Sequence, residues 1–231
     1  MIRYWQSWRS ILCITGLSAH AGDTSTILAI GDSITARSDS YRSVLVPALA
    51  ERHLAVEFIG PNKDQISAHA GYGGKNTKYL LSVSKDVYRK YPADIVMIHS
   101  GHNSFSEDKP VPGIIRDTEA MINNIRKINP DVKILLAQVI SAGKLPKYSY
   151  IPELNKELAS LSARLNKQGY SIVLVNQAEG FDWRTDTVED KVHPNAAGAK
   201  KMADKWIEAL LPLLDKKDAN KSLKATGEPA P

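Results

Sequence analysis

Cysteine is almost absent from this chain: Cys13 is the single one among 231 residues. One thiol closes no internal disulfide, so no covalent staple supports the fold. Long hydrophobic runs are also missing. The apolar stretch Ile11-Leu12-Cys13-Ile14-Thr15-Gly16-Leu17 falls well short of the roughly 20 apolar residues that a membrane-spanning helix needs. Nor is there a large surplus of one charge, since 30 Lys and Arg stand against 25 Asp and Glu. The charges are mixed in sign along the chain, as on solvated helix faces, and leave no nucleic-acid footprint. No internal repeat occurs, and no linker rich in Gly, Pro or Ser divides the chain. A hydrophobic content of 43% over this length is enough for one globular domain with a substantial core.

The two ends differ from the middle. Arg3 and Arg9 precede the short apolar stretch, and Ala19-His20-Ala21 follows it, the order of a secretory signal peptide with a small-x-small cleavage site. Residues 1–21 are therefore expected to be a leader cleaved after Ala21, which makes the mature protein secreted or periplasmic, with no stable membrane insertion. The alternative is a fraying N-terminal helix. Cleavage removes Cys13, and with it covalent catalysis through sulfur, and lowers the formal net charge from +5 to +3. Lys216 to Pro231 lacks apolar periodicity and is expected to be a disordered tail, leaving residues 22–215 as the domain.

Between the ends, strand-like and helix-like segments alternate. Ile27 to Ile30, Ala55 to Ile59, Ile95 to Ile98, Lys133 to Ala137 and Ser171 to Val175 are short apolar strands. Helical spacing marks 41–53, 77–91, 114–128, 152–167 and 196 to about 213. Continuous apolar strands separated by helices predict a mostly five-stranded parallel sheet covered on both faces, a three-layer α/β/α sandwich.

Polar residues gather where such a sheet keeps its chemistry, at the carboxyl ends of strands. Gly31-Asp32-Ser33-Ile34 follows the first strand, His99 to Asn103 follow the third, and Asp190-Lys191-Val192-His193 precedes the last helix. A serine hydroxyl needs a base within hydrogen-bond reach, which His193 can supply, and Asp190 can fix the imidazole tautomer. Taken singly, each residue has a plainer explanation. Asp32 can anchor the turn through a backbone N–H, Ser33 can be a turn or cap residue, and Asn103 can form an Asx turn. Asp190 and His193 can be a structural pair ahead of a helix with Pro194 at an early helical position. His99-x-x-His102 with Asp190-x-x-His193 also admits a cluster of metal ligands.

The ordered set resembles the SGNH (GDSL-like) hydrolases: Gly31-Asp32-Ser33-Ile34, Gly73-Gly74, Gly101-His102-Asn103 and Asp190-x-x-His193. Within that superfamily, Ser40-Tyr41-Arg42, Val56 to Gly60 and His69-Ala70-Gly71-Tyr72-Gly73-Gly74 are similar to the carbohydrate acetylesterase branch of acetyl xylan esterases. The Gly101-His102-Asn103 block is also similar to rhamnogalacturonan acetylesterases. One position departs from the pattern, because Ser104 stands where relatives carry Asp.

The resemblance implies a flavodoxin-like sheet and a serine esterase that needs no cofactor and no metal. It implies Ser33, Asp190 and His193 as catalytic residues. The Ser33 and Gly74 backbone N–H groups and the Asn103 side chain would form the oxyanion hole, with Gly74 leaving room for close approach to the reacting carbon. The expected substrate is a small-molecule or polysaccharide ester carrying a short acyl group, with a lipid or thioester acyl chain as the alternative. Polar loops at 104–112 and 141–150, apart from Phe105, Leu145 and Tyr148, favour short acyl groups. His102 is expected to line the pocket, His99 to be a satisfied polar residue, and Trp183, Tyr72 and Phe105 are candidates to stack on sugar rings. An inactive carbohydrate-binding protein is the non-enzymatic alternative, with Ser104 as its support.

Overall fold

The computed structural model describes residues 24–106 and 108–226, with side chains described as far as Leu214. The proposed leader, residues 1–21, lies outside the described residues.

The chain forms β1 (Ser25–Gly31), α1 (Ser33–Ala36), α2 (Arg42–Glu51), β2 (Val56–Phe58), β3 (Asn62–Lys63), β4 (Ala68–Gly71) and α3 (Thr77–Lys90). It continues through β5 (Ile95–His99), a 3-10 turn (His102–Ser104), α4 (Pro110–Ile128), β6 (Lys133–Gln138) and α5 (Ile151–Lys167). The last elements are β7 (Ile172–Asn176), α6 (Trp183–Asp186) and α7 (Ala196–Thr226).

The parallel strands lie in the order β2, β1, β5, β6, β7. This is the flavodoxin-like arrangement, in which the order reverses beside the first strand and opens a crevice at the carboxyl ends. Strand alternation explains the three layers. Leu28, Ile30, Val96, Ile98, Ile134 and Leu136 face a core with residues of α3, α4 and α5. Ile27, Ala29, Ile95, Met97, Leu135 and Ala137 face the opposite core, closed by Leu45 and Leu49 of α2 and by Met202, Trp206 and Leu210 of α7. The middle of each central strand, Ile27 to Ile30, Ile95 to Ile98 and Ile134 to Ala137, is apolar at consecutive positions because both faces are covered.

Two features differ from the sequence expectation. The sheet has seven strands rather than five. β4 pairs parallel with the end of β1, Ile30 opposite Ala70 and Gly31 opposite Gly71, while β2 pairs with its beginning. The extra pair β3 and β4 is too short and polar for a periodicity reading; β4 forms by pairing with the end of β1, and β3 by pairing antiparallel with β4. The last helix also runs to Thr226, into the segment expected to be a tail. Its Lys- and Ala-rich sequence has high helix propensity and continues the helix past Leu214, the last buried residue described.

Candidate active site

Ser33 owes its position to close packing around Gly31. A Cβ on Gly31 would lie 2.2 Å from Thr35 Oγ1 and 2.6 Å from the His99 carbonyl oxygen, so only glycine permits β1 to turn sharply into α1. Asp32 caps that short helix, its Oδ1 accepting from the Ile34 N–H at 3.0 Å, the anchoring role expected from the sequence. Arg42, fully buried, holds the far end. Its Nε donates to Thr35 O at 2.7 Å and its Nη2 to Ala36 O at 3.1 Å. The same guanidinium grips Asp64 and Ser67 in the connection between β3 and β4, and its hydrogen bonds hold the Asp64 carboxyl well below the usual carboxylate range.

His193 comes from the loop before α7. Asp190 Oδ1 accepts from the N–H groups of Val192 at 2.8 Å and His193 at 2.9 Å, and Lys191 turns between them at φ +61°. The loop is closed by a bridge between Thr187 and Pro194, and Asn195 accepts from Gly198 N–H at the start of α7. Pro194 thus sits in the bridge before the helix rather than at an early helical position.

The loop presents the imidazole edge-on. His193 Nδ1 lies 2.5 Å from Asp190 Oδ2, and His193 Nε2 lies 2.7 Å from Ser33 Oγ. Burial acts to raise the Asp190 carboxyl pKa, but the hydrogen bonds from the His193 ring and the two backbone N–H groups outweigh it, and the net shift is downward. An ionised Asp190 holds the Nδ1 hydrogen, leaving Nε2 free to accept the Ser33 proton. Serine, imidazole and carboxylate, 160 residues apart in sequence at the widest, form one continuous relay.

Gly74 and Asn103 lie on the loops after β4 and β5. Tyr72 N–H donates to Gly31 O at 2.9 Å, which ties the Gly73-Gly74 loop to the turn bearing Ser33. Asn103 Nδ2 donates to Lys75 O at 3.0 Å, using one of its two amide hydrogens and leaving the other for a ligand. Gly74 adopts φ +73°, and a Cβ placed on it would meet no atom within 4 Å. The described residues therefore explain this glycine through its left-handed backbone, a reason distinct from the close approach anticipated in the sequence.

The histidines of the third block do not behave as expected. His102 is 1% exposed and lies beneath the site instead of lining it, with Nε2 2.9 Å from Ile140 O. His99 is equally buried, stacks on His102 with ring centroids 5.7 Å apart, and neither of its ring nitrogens has a hydrogen-bond partner among the described residues. Burial pushes His99 down to about 3 and His102 down to about 4, so both rings are neutral at ordinary pH. They do not converge with Asp190 and His193: among the described residues no three His, Cys, Asp or Glu side chains form a metal-holding group. The metal-ligand reading of these four residues is set aside on that geometry.

The rim aromatics are partly covered. Phe105 is 39% exposed and Leu145 61%, whereas Tyr148 is buried edge-on against His102 and Phe105. Lys147 Nζ lies 3.5 Å from the Phe105 centroid. Trp183 packs against Gly143 with the Arg184 guanidinium 4.5 Å from its ring, and Tyr72 meets Tyr79 edge-on. Sequence reasoning gave no structural role to Arg42, whose signal was a lone cation on an otherwise apolar helix face. Ser104, in place of the usual Asp, is buried. Among the described residues no helix is long and apolar enough to cross a membrane.

Three kinds of likeness accompany this geometry. A multidomain esterase of Ruminococcus flavefaciens is 27% identical over 235 residues, covering 84% of this chain. This chain spans 29% of that relative's length. A carbohydrate esterase of family 3 from Talaromyces cellulolyticus superposes with a TM-score of 0.75 at 20% identity, covering 84% of this chain and 99% of the other. A Clostridium thermocellum family 3 carbohydrate esterase gives 0.73 at 22%, covering 84% and 98%; at these identities the likeness is one of fold. The profile of the GDSL-like lipase/acylhydrolase family matches residues 29–201, which run from within β1 to the beginning of α7. On that match the chain belongs to the GDSL-like lipase/acylhydrolase family, within the SGNH hydrolases.

Proposed function

We propose that this protein removes short acyl groups, acetyl first among them, from carbohydrate by a two-step serine mechanism. The observation that carries the reading is the relay of 2.7 Å from Ser33 Oγ to His193 Nε2 and 2.5 Å from His193 Nδ1 to Asp190 Oδ2. Ser33 Oγ attacks the ester carbonyl carbon while its proton passes to His193 Nε2, and Asp190 stabilises the imidazolium. The oxyanion is met by the N–H groups of Ser33 and Gly74 and by the Asn103 amide. The intermediate collapses to the acyl-enzyme, and His193 returns the proton to the departing sugar hydroxyl. Water then attacks with His193 again as base, releasing the carboxylic acid and restoring Ser33.

The carbohydrate part of the reading is supported by what the named relatives are, an esterase of several domains and two carbohydrate esterases. Residues 22–215 constitute the hydrolase domain. The leader proposed for residues 1–21 delivers it outside the cytoplasm, where polysaccharide esters are found. A longer acyl chain is the second reading, favoured by the exposure of Leu145 and Phe105 on loops after β6 and β5. Initial rates on p-nitrophenyl esters of increasing acyl length, for wild type and Ser33→Ala, test both. Turnover confined to acetyl and propionyl esters and abolished by the substitution supports the first. A long-chain optimum moves the substrate to lipids. Turnover that survives Ser33→Ala would reject the serine mechanism, and no turnover of any ester would return attention to a binding protein.

A further inference from the structure

Beneath the nucleophile lies a pair of groups that the serine mechanism leaves without a task. Asp32 Oδ1 is occupied by the Ile34 N–H, but Asp32 Oδ2 has no hydrogen-bond partner, and neither has His102 Nδ1. The two atoms face each other at 4.0 Å on side chains 1% and 2% exposed. His102 Nε2 sits on the Ile140 carbonyl oxygen at 2.9 Å. A carbonyl has no proton to give, so Nε2 carries the hydrogen and Nδ1 of the neutral ring is a bare lone pair. A carboxylate and a lone pair thus confront each other where water has no access to either atom. Two buried acceptors left unpaired are costly, and a single proton placed between them satisfies both.

We propose that Asp32 is a protonated, neutral carboxylic acid that donates its Oδ2 hydrogen to His102 Nδ1, linking the turn of the nucleophile to the turn of the oxyanion-side Asn103. The atoms close from 4.0 Å by about 1 Å to make this bond. Burial favours the neutral pair over an ion pair. In the same direction, burial pushes the Asp32 carboxyl up to about 6 against the pull of the Ile34 N–H and His193, and pushes His102 down to about 4. The charged and titratable groups around the pair come from four directions. His99 stacks on His102 from the end of β5, and Tyr148 meets its edge from the loop after β6. His193 acts on both members from the loop before α7, and Tyr41 of the segment entering α2 feels Asp32 through Thr35. Of these, His193 is the group that becomes cationic during the reaction, and its charge favours ionised Asp32. The hydrogen bond to His102 opposes that loss by stabilising the neutral acid. Neutral Asp32 adds no buried carboxylate to Asp190, which is hydrogen-bonded to His193, and the exposed Asp39, which acts on it from farther off, and places no negative charge next to the developing oxyanion. Both are positioning residues, acting through Ser33 and Asn103.

This inference rests on the roles given to Ser33, His193 and Asp190 above. The test measures kcat and KM against pH for wild type, Asp32→Asn, His102→Gln and His102→Leu. Wild-type kcat should fall on the alkaline side as Asp32 loses its proton, with KM steady. Asparagine accepts from Ile34 and donates to His102 as the neutral acid does, so Asp32→Asn should stay within about tenfold of wild type at pH 6 and lose the alkaline decline. His102→Leu should move the decline to lower pH, and His102→Gln, which can accept from Asp32, should restore it. A folded Asp32→Asn protein more than about a hundredfold slower at every pH, or one keeping the wild-type decline, overturns the proposal. The infrared spectrum gives an answer independent of activity and of the variant's folding. The carbonyl stretch of a buried protonated carboxyl should be present in wild type at pH 5 and lost on titration upward. Its absence at pH 5 overturns the proposal even if Ser33-dependent hydrolysis is found, and its presence stands even if it is not.

Discussion

Arg42 and Asp64 form a two-pronged ion pair, Nη2 to Oδ2 at 2.6 Å and Nη1 to Oδ1 at 3.2 Å, with the guanidinium wholly out of solvent. Through its remaining hydrogens Arg42 also holds the last carbonyls of α1. The nucleophile helix and the strand pair leading to Gly74 are thereby fastened to one planar cation. Removing it strips the cation from a part-buried carboxylate, which keeps the Ile66 and Ser67 N–H groups, and takes the Arg42 donors from two carbonyls. Arg42→Ala should cost about 3–5 kcal/mol in denaturant unfolding, and Arg42→Lys should recover little, because an ammonium cannot reproduce the fork. A loss of under about 1 kcal/mol would show that the clamp carries no weight.

Acid should destabilise this protein earlier than an average carboxylate-driven loss. His69, His99 and His102 are held by burial at about 4, about 3 and about 4, below the roughly 6.5 of an unfolded histidine. Between these values the unfolded chain binds protons that the folded chain does not, so stability falls as pH drops from about 6.5 towards 3. Asp32, raised to about 6, works in the opposite sense between about 4 and 6, one group against three. Unfolding midpoints measured from pH 7 to 4 should decline throughout, and His69→Gln should flatten the decline. A flat wild-type profile contradicts the assignment of neutral buried rings.

Asp190→Asn should lower kcat by about 10⁴ with little change in KM, since the amide presents the wrong partner to the Nδ1 hydrogen. Stopped assays at saturating acetyl ester measure this directly. A loss below about tenfold would mean that the backbone of the loop alone orients His193.

Two glycines should respond differently to the same methyl. Gly31→Ala forces a Cβ to within 2.6 Å of the His99 backbone oxygen, so both folding yield and activity should collapse. Gly74→Ala meets nothing within 4 Å but must hold φ +73°, at about 1–2 kcal/mol, and should fold while its N–H shifts away from the oxyanion. Asn103→Ala should cost about 10²–10³ in kcat. Thermal melts paired with kcat separate these cases, and a Gly74→Ala enzyme with full kcat would remove Gly74 from the oxyanion hole.

Much of the scaffold is legible in the sequence because its strands are buried on both faces. Ile27 to Ile30 and Ile95 to Ile98 are apolar at consecutive positions, a pattern that helix faces do not show. The short strands β3 and β4 are not legible, since Asn62-Lys63 and Ala68-His69-Ala70-Gly71 have neither period nor apolar weight. β4 is a strand because β1 offers its edge, and β3 because it pairs antiparallel with β4. The burial of His102 is hidden for a related reason. A histidine beside Asn103 looks exposed in a loop, and only the packing of Tyr148 and the Ile140 carbonyl buries it.

Local pattern was sufficient for the alternation of strands and helices, for the positions of Ser33, Asp190 and His193 relative to strand ends, and for the family to which they point. Each segment carries that information alone. Which polar groups meet is a property of the packed chain. The contacts of Arg42 with Asp64, of Ser33 with His193 and of Asp32 with His102 join residues that local pattern treats as independent. Their distances come from how β1, β5 and the loop before α7 converge at one edge of a sheet, where low dielectric makes each pairing, and each missing partner, count.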